Sequence, residues 1–275
     1  MSEFTFNLLT STRRRPGTEV LEDRTVPAFL APVNYTADFT PIAVVTADFN
    51  NDGLLDIAAG RYSESDLYES SVVVLLGNVD GTFRPPLTCP TGVFPNSLAV
   101  GDFNRDDKLD LATANHYSNS VSVLKGNGDG TFQGPSNIIF GSSPESVAVA
   151  DFNRDGLLDL GVTSSLYLEI ASDGYANVLI GHGDGTFSAP HTTPLDFGFH
   201  ASAAAADLNG DGFDAYVSTN LYGTQVEVLL GSGTGQLQAP TRFTCGNSPR
   251  SVAAGDVNGD SIIDLVTANA LARSS

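Results

Sequence analysis

Hydrophobic and polar positions alternate with a period of two along most of the chain. Ser97-Leu-Ala-Val-Gly and Ser146-Val-Ala-Val-Ala set large residues against small ones, and each runs straight into an aspartate-rich stretch. Asp110-Leu-Ala-Thr-Ala leaves such a stretch; Ser120-Val-Ser-Val-Leu-Lys and Ala176-Asn-Val-Leu-Ile lead into glycine-rich turns. Period two with β-branched residues predicts short strands, and small residues on one face predict strands packed closely on both sides. Ala203–Ala206 would favour a helix on propensity alone. It stands in register with Ser-Val-Ala-Val-Ala, so it is read as a strand.

The punctuation between the strands repeats. Asp48-Phe-Asn-Asn-Asp-Gly-Leu-Leu-Asp56 returns from Asp102 to Asp110, from Asp151 to Asp159, from Asp207 to Asp214 in a form one residue shorter, and from Asp256 to Asp264. GNVDGTF, GNGDGTF and GHGDGTF, beginning at Gly77, Gly126 and Gly181, keep step with it, as does a degenerate GSGTGQL from Gly231. A Gly-x-x-Pro precedes most modules, ending at Pro95, Pro144 and Pro249. Each module then holds four short strands, the content of one β-propeller blade, and blades must stack because a single one cannot bury both faces.

On these motifs the repeats resemble the FG-GAP/VCBS family, the calcium-dependent propeller units found in the head of integrin α subunits. The resemblance covers roughly residues 35–269 and implies an all-β propeller of four-stranded antiparallel blades, with four full repeats and a partial fifth. Residues 1–34 are expected to be a disordered leader or linker and 35–275 the propeller. Such propellers commonly have seven blades, so either the ring is small and imperfect or the chain is part of a longer protein. Tyr35–Phe39 reads as a fourth strand that could pair with the unfinished fifth blade.

The acidic loops are candidate Ca²⁺ sites, up to five in number. A hard divalent cation takes six to eight oxygen ligands. The spacing offers side chains at the first, third, fifth and ninth positions and a backbone carbonyl at the seventh. The ligand sets are Asp48, Asn50, Asp52, Leu54 and Asp56; Asp102, Asn104, Asp106, Lys108 and Asp110; Asp151, Asn153, Asp155, Leu157 and Asp159; Asp207, Asn209, Asp211, Phe213 and Asp214; and Asp256, Asn258, Asp260, Ile262 and Asp264. One copy reads equally well as a solvated acidic turn. Five copies in phase favour a cation, because crowded carboxylates repel one another and a divalent ion reverses that term. An EF-hand does not fit: its twelfth-position Glu is replaced by Ala59, Thr113 and Val162, and the flanks are strands. Gly53 and Gly156 suit the tight curl at the sixth position, Asp107 and Ser261 suit it less, and the short Asp207 loop ranks weakest. Asp80, Asp129 and Asp184 belong to hairpin turns rather than to a second metal.

The net charge of −19 argues against a nucleic-acid partner and against an anionic membrane surface, and favours cations. No run of 18 apolar residues predicts a membrane-spanning helix. The N-terminus lacks the apolar core of a secretory signal. Arg13–Ala28 resembles the leader of large, repeat-bearing exported bacterial proteins, so a secreted or cell-surface location is expected. Cys89 and Cys245 hold similar places in non-consecutive modules and are read as free thiols. His116, His182, His191 and His200 show no metal spacing and are read as surface or packing residues, and no catalytic signature occurs, so an enzyme is not expected. Six tyrosines, Tyr62, Tyr68, Tyr117, Tyr167, Tyr175 and Tyr222, fall between second and third strands, on the face opposite the acidic loops. They are candidate contacts for a protein or glycan partner, or recurrent packing residues. Three functions follow: an adhesion or recognition scaffold, a lectin-like or accessory domain of a carbohydrate-active enzyme, or a structural spacer.

Overall fold

The computed structural model describes residues 5–9, 39–62, 70–168 and 171–270, with side chains from 39–62, 70–166 and 173–270. The described residues form strands β1 to β19 in five antiparallel sheets, with no helix among them. Blade I holds β2 (Thr40–Ala47), β3 (Asp56–Tyr62), β4 (Ser71–Leu75) and β5 (Leu87–Pro90). Blade II holds β6 (Pro95–Gly101), β7 (Asp110–Asn115), β8 (Ser120–Leu124) and β9 (Ser136–Ile139). Blade III holds β10 (Ser143–Ala150), β11 (Asp159–Leu168), β12 (Ala171–Leu179) and β13 (His191–Phe197). Blade IV holds β14 (His200–Ala206), β15 (Ala215–Asn220), β16 (Gln225–Leu229) and β17 (Thr241–Thr244). Blade V has β18 (Pro249–Gly255) and β19 (Asp264–Asn269), joined by β1 (Thr5–Leu9).

Within residues 1–34, read as an unstructured leader, the described residues 5–9 form a strand. β1 lies antiparallel to β19, from Thr5 opposite Asn269 to Leu9 opposite Leu265, and takes the third-strand place of blade V. An unpaired strand edge leaves a row of backbone donors and acceptors to satisfy, and Thr-Phe-Asn-Leu-Leu supplies a partner for it. Tyr35–Asp38, read as the closing strand, lie outside the described residues.

The core is divided among the blade junctions. Phe49, Val72 and Leu76 of blade I meet Leu98, Leu111 and Leu124 of blade II. Ala112, Val121 and Phe140 of blade II meet Leu160, Val162 and Leu179 of blade III. Phe152 and Val178 meet Tyr216 and Leu229 across the III–IV junction, and Val217 and Val226 meet Val252 and Leu265 across IV–V. Alternation along one strand thus serves two junctions: Leu111 faces blade I while Ala112 and Ala114 face blade III. Serines near the axis add a relay. Ser97 Oγ accepts from Val147 N, Ser146 Oγ from Ala203 N, and Ser202 Oγ from Val252 N, each joining one innermost strand to the next blade's. The series is open: blades I and V share no sheet and no hydrophobic core among the described residues.

The tight stacking explains the small residues read from the sequence. A Cβ on Gly161 would lie 2.6 Å from Tyr216 Cε2 and 3.0 Å from Phe152 Cζ, both across or at the III–IV junction. We expect Gly161→Ala to destabilise the protein by about 1–3 kcal/mol through overpacking. Gly134→Ala, at a position open to solvent, should be close to neutral. Equal denaturant midpoints for the two variants would show that this junction is not packed as described.

Candidate cation loops and the opposite face

Antiparallel connection fixes the geography. The acidic loops join first to second strands and the glycine-rich turns join third to fourth, so in blades I to IV both lie at one end. The connections between second and third strands lie at the other end.

All five acidic loops adopt the same curl. The first aspartate accepts backbone hydrogen bonds from the fifth and sixth residues in the first three: Asp52 N at 3.1 Å and Gly53 N at 2.7 Å on Asp48, Asp106 N and Asp107 N on Asp102, and Asp155 N and Gly156 N on Asp151. Asp207 accepts from Gly210 N and Gly212 N, and Asp256 from Gly259 N, Asp260 N and Ser261 N. The third-position Asn50, Asn104, Asn153, Asn209 and Asn258 accept from the fifth amide. The fifth aspartate accepts from the seventh amide, that of Leu54, Lys108, Leu157, Phe213 or Ile262. Both the fourth and the sixth residues carry positive φ, for example Asn51 at 57° and Gly53 at 81°. The sequence pointed only to the sixth. Loop II places Arg105 and Asp107 at these two positions, a strained choice, whereas loop IV has Gly210 and Gly212.

The ninth position does something the sequence did not reveal. Asp56, Asp110 and Asp159 are fully buried, and each braces two amides. Asp159 Oδ2 accepts from Phe152 N at 2.9 Å and Oδ1 from Gly181 N at 2.8 Å, which ties the acidic loop to the GDG turn of the same blade. Asp56 and Asp110 make the same two bonds to Phe49 and Gly77, and to Phe103 and Gly126. Among the described residues, Asp264 keeps only the bond from Val257 N, at 3.3 Å. Burial, and secondarily the carboxylates of Asp155 and Asp151, push Asp159 up to about 6; the same causes raise Asp110.

Loop IV is not short. Ala206 pairs with Ala215 as Ala150 pairs with Asp159, so nine residues span each loop and Ala215 occupies the ninth position. Asp214 stands eighth, where loops I to III have Leu55, Leu109 and Leu158, and its backbone carbonyl lies against Gly231 as theirs lie against Gly77, Gly126 and Gly181. Its side chain turns toward blade III, where it accepts a hydrogen bond from the Asp151 amide, and burial raises its pKa. Loop IV lacks the ninth carboxylate by substitution rather than by deletion.

The loops also lock neighbouring blades. Phe49 and Phe103, the second residues, are buried edge-to-face against Phe132 and Phe187 of the next blade's GDGTF turn, with centroids 5.6 Å apart in both pairs. Gly130 N and Gly185 N of those turns donate to the Phe49 and Phe103 carbonyls at 3.1 and 3.0 Å. The two motifs stay in phase because they dock on each other. Asp80, Asp129 and Asp184 accept from the backbone and hydroxyl of Thr82, Thr131 and Thr186, which closes a hairpin and holds their pKa low. His182 bonds Thr186 as Asn127 bonds Thr131.

As a donor set, each loop offers hard carboxylate and amide oxygens on a fixed curl, which suits a hard cation by its chemistry. In the conformation seen, the oxygens turn toward loop amides. Among the described residues, no three His, Cys, Asp or Glu side chains gather around a common point. Two loops carry a protein cation: Arg84 Nη2 lies 3.2 Å from Asp52 and Lys108 Nζ 3.5 Å from Asp106.

On the opposite end, Tyr117 and Tyr222 are exposed, and Tyr62 and Tyr175 are half-buried. Tyr62 and Tyr117 flank Phe94, and Tyr222 lies against Phe199. Tyr68 and the Tyr167 side chain lie outside the described residues. The sequence missed another set here. Every first strand carries a register shift just after its start, between Pro41 and Ala43, Pro95 and Ser97, Pro144 and Ser146, His200 and Ser202, and Pro249 and Ser251. The skipped residues, Ile42, Asn96, Glu145, Ala201 and Arg250, line one cavity of 530 Å³ to which all five blades contribute. A bulge re-aims its unpaired side chain. For Asn96, Glu145 and Arg250 the available signal was the place directly after a motif proline. Cys89 and Cys245 are buried and not joined in a disulfide, as read from their places in the repeat.

Stacked blades, four of them four-stranded with an acidic loop in phase with a glycine-rich turn, define an all-β propeller of repeats. Residues 108–162 and 207–267 match the FG-GAP-like repeat family, and the chain carries repeats of that family. No curated protein sequence matches the chain. Among solved structures, the fold is similar to the PQQ-bound aldose sugar dehydrogenase of Streptomyces coelicolor, at 17% identity and a TM-score of 0.50, over 86% of this chain and 82% of that one. The biofilm matrix protein Bap1 of V. cholerae aligns at 17% identity with a TM-score of 0.49, over 83% of this chain. This chain spans 35% of that protein's length. At these identities the likeness is one of fold alone.

Proposed function

We propose that the chain is a calcium-binding β-propeller that acts as a secreted or surface recognition scaffold rather than as an enzyme. The observation that carries this reading is the five-fold recurrence of one acidic curl, with the same backbone bonds and the same pair of left-handed residues. Ca²⁺ would be held by the first, third, fifth and ninth side chains with the seventh carbonyl, as in Asp151, Asn153, Asp155, Asp159 and Leu157. The ion supplies positive charge where carboxylates crowd, and it stabilises the blades by binding only the folded state. The net charge of −19 favours cation uptake and gives no basic surface for nucleic acid. No helix among the described residues is long and apolar enough to cross a membrane. The leader-like Arg13–Ala28 supports export.

Titration calorimetry of the chelator-stripped protein tests the cation reading; absence of heat at millimolar Ca²⁺ would end it. Loop IV supplies a sharper test. Converting Asp214-Ala215 to Leu-Asp, as in loops I and III, should add one site to the calorimetric stoichiometry. An unchanged count would show that the ninth carboxylate is not a ligand.

A further inference from the structure

The axial cavity on the face opposite the acidic loops combines features that the repeat by itself does not require. Phe94 at its rim has φ of 63°, a left-handed conformation that bulky side chains avoid. At the same place before the motif proline, blade V has Ser248 in the same left-handed conformation, at φ 51°. A strained aromatic where serine suffices points to use of the ring itself. Phe94 stands at the centre of an aromatic cluster, 4.7 Å from Tyr62, 4.8 Å from Tyr117 and 5.8 Å from His116 between ring centroids. Tyr117 is 54% exposed and offers part of that cluster to solvent.

The polar lining is just as particular. Glu145 is buried at 1% exposure, with His116 Nδ1 at 2.9 Å and Asn96 Nδ2 at 3.2 Å. Arg250 is exposed at the same cavity, and among the described residues no carboxylate pairs with it. In a chain with 32 acidic and 13 basic residues, a guanidinium in an aromatic cavity that no described carboxylate pairs is a selective feature. A guanidinium binds a carboxylate through two parallel hydrogen bonds. The volume of 530 Å³ lies in the range of small-ligand sites.

We propose that this cavity binds an acidic sugar, a uronate at the end of or within a glycan. The C–H face of the ring would lie on Phe94 and Tyr117, its hydroxyls would meet Asn96 and the Glu145–His116 pair, and its carboxylate would meet Arg250. This deepens the recognition reading above and does not depend on cation binding, which the calcium titration reports separately.

The test is calorimetric binding of galacturonate di- and trisaccharides, against their neutral galactose counterparts, at one fixed free Ca²⁺ concentration. The uronates should bind and the neutral sugars should bind at least tenfold more weakly. Arg250→Ala should erase that difference. Phe94→Ser should weaken uronate binding at least tenfold without lowering the melting temperature, because the serine conformer is already used at Ser248 (φ 51°). If Phe94→Ser disturbs folding, the exposed Tyr117→Ala serves in its place with the same expected loss. Absence of uronate binding at millimolar sugar overturns the proposal. So does equal affinity for the neutral sugars, or uronate binding that survives both Arg250→Ala and the aromatic substitution, as a sugar bridged through cations at the acidic loops would.

Discussion

Asp159→Ala should cost about 3 kcal/mol of stability in the presence of chelator, because it strips the only carboxylate bonds from two amides in a buried setting, each worth roughly 1–3 kcal/mol when left unpaired. Those amides are Phe152 N and Gly181 N, and the carboxylate that serves them is fully buried. Asp155→Ala, at an exposed position of the same loop, should cost clearly less under the same conditions, since its bonds to Leu157 N and Asn153 Nδ2 have water as a substitute. Asp159→Asn separates hydrogen bonding from charge. Its one carbonyl oxygen can serve only one of the two amides, and its NH₂ then faces the other, so it should fall between Ala and wild type. Urea denaturation of the three variants decides the matter. Similar losses for Asp155→Ala and Asp159→Ala would show that the ninth position is not the brace described.

Calcium should raise the melting temperature by on the order of 10 °C. Free ion at 100 times the dissociation constant stabilises by about 2.7 kcal/mol per site. For a chain of this size each kcal/mol shifts the midpoint by about 2–4 °C. Loops I and III alone, with Gly53 and Gly156 at the sixth position and a complete ninth carboxylate, would supply two such sites. A matched concentration of NaCl separates site binding from simple screening of a chain with net charge −19. In Ca²⁺ buffer Asp155→Ala should lose more of the gain than Asp211→Ala, because loop IV has Ala215 in place of the ninth ligand. A scan in which Ca²⁺ and NaCl move the midpoint equally would leave the loops as acidic turns. Equal losses in the two variants would remove the ranking of sites.

The sequence by itself determined the strands, their grouping in fours, the five acidic loops and the end of the blade on which they lie. These are local matters. Period-two alternation, a left-handed turn residue and an aspartate bonding amides two to five residues away are settled within one module, and repetition lets each copy check the others. Ala203–Ala206 became a strand for that reason, against its helical propensity. The nine-residue length of loop IV escaped the same reasoning. An aspartate standing one place early looks like a deletion until the pairing of Ala206 with Ala215 fixes the count.

Only the tertiary structure decided what depends on partners far along the chain. β1 pairs with β19 across some 260 residues of sequence, and nothing local in Thr5–Leu9 announces it. Asp159 could be seen as an oxygen donor, but its burial and its bond to Gly181 exist only once third and fourth strands fold back beside it. Asn96 and Glu145 lie 49 residues apart and bond each other only because each first strand bulges toward a common axis. Pattern reports which face of a strand is buried. Which residues converge at an axis is set by the stacking of whole blades, and no single module contains that information.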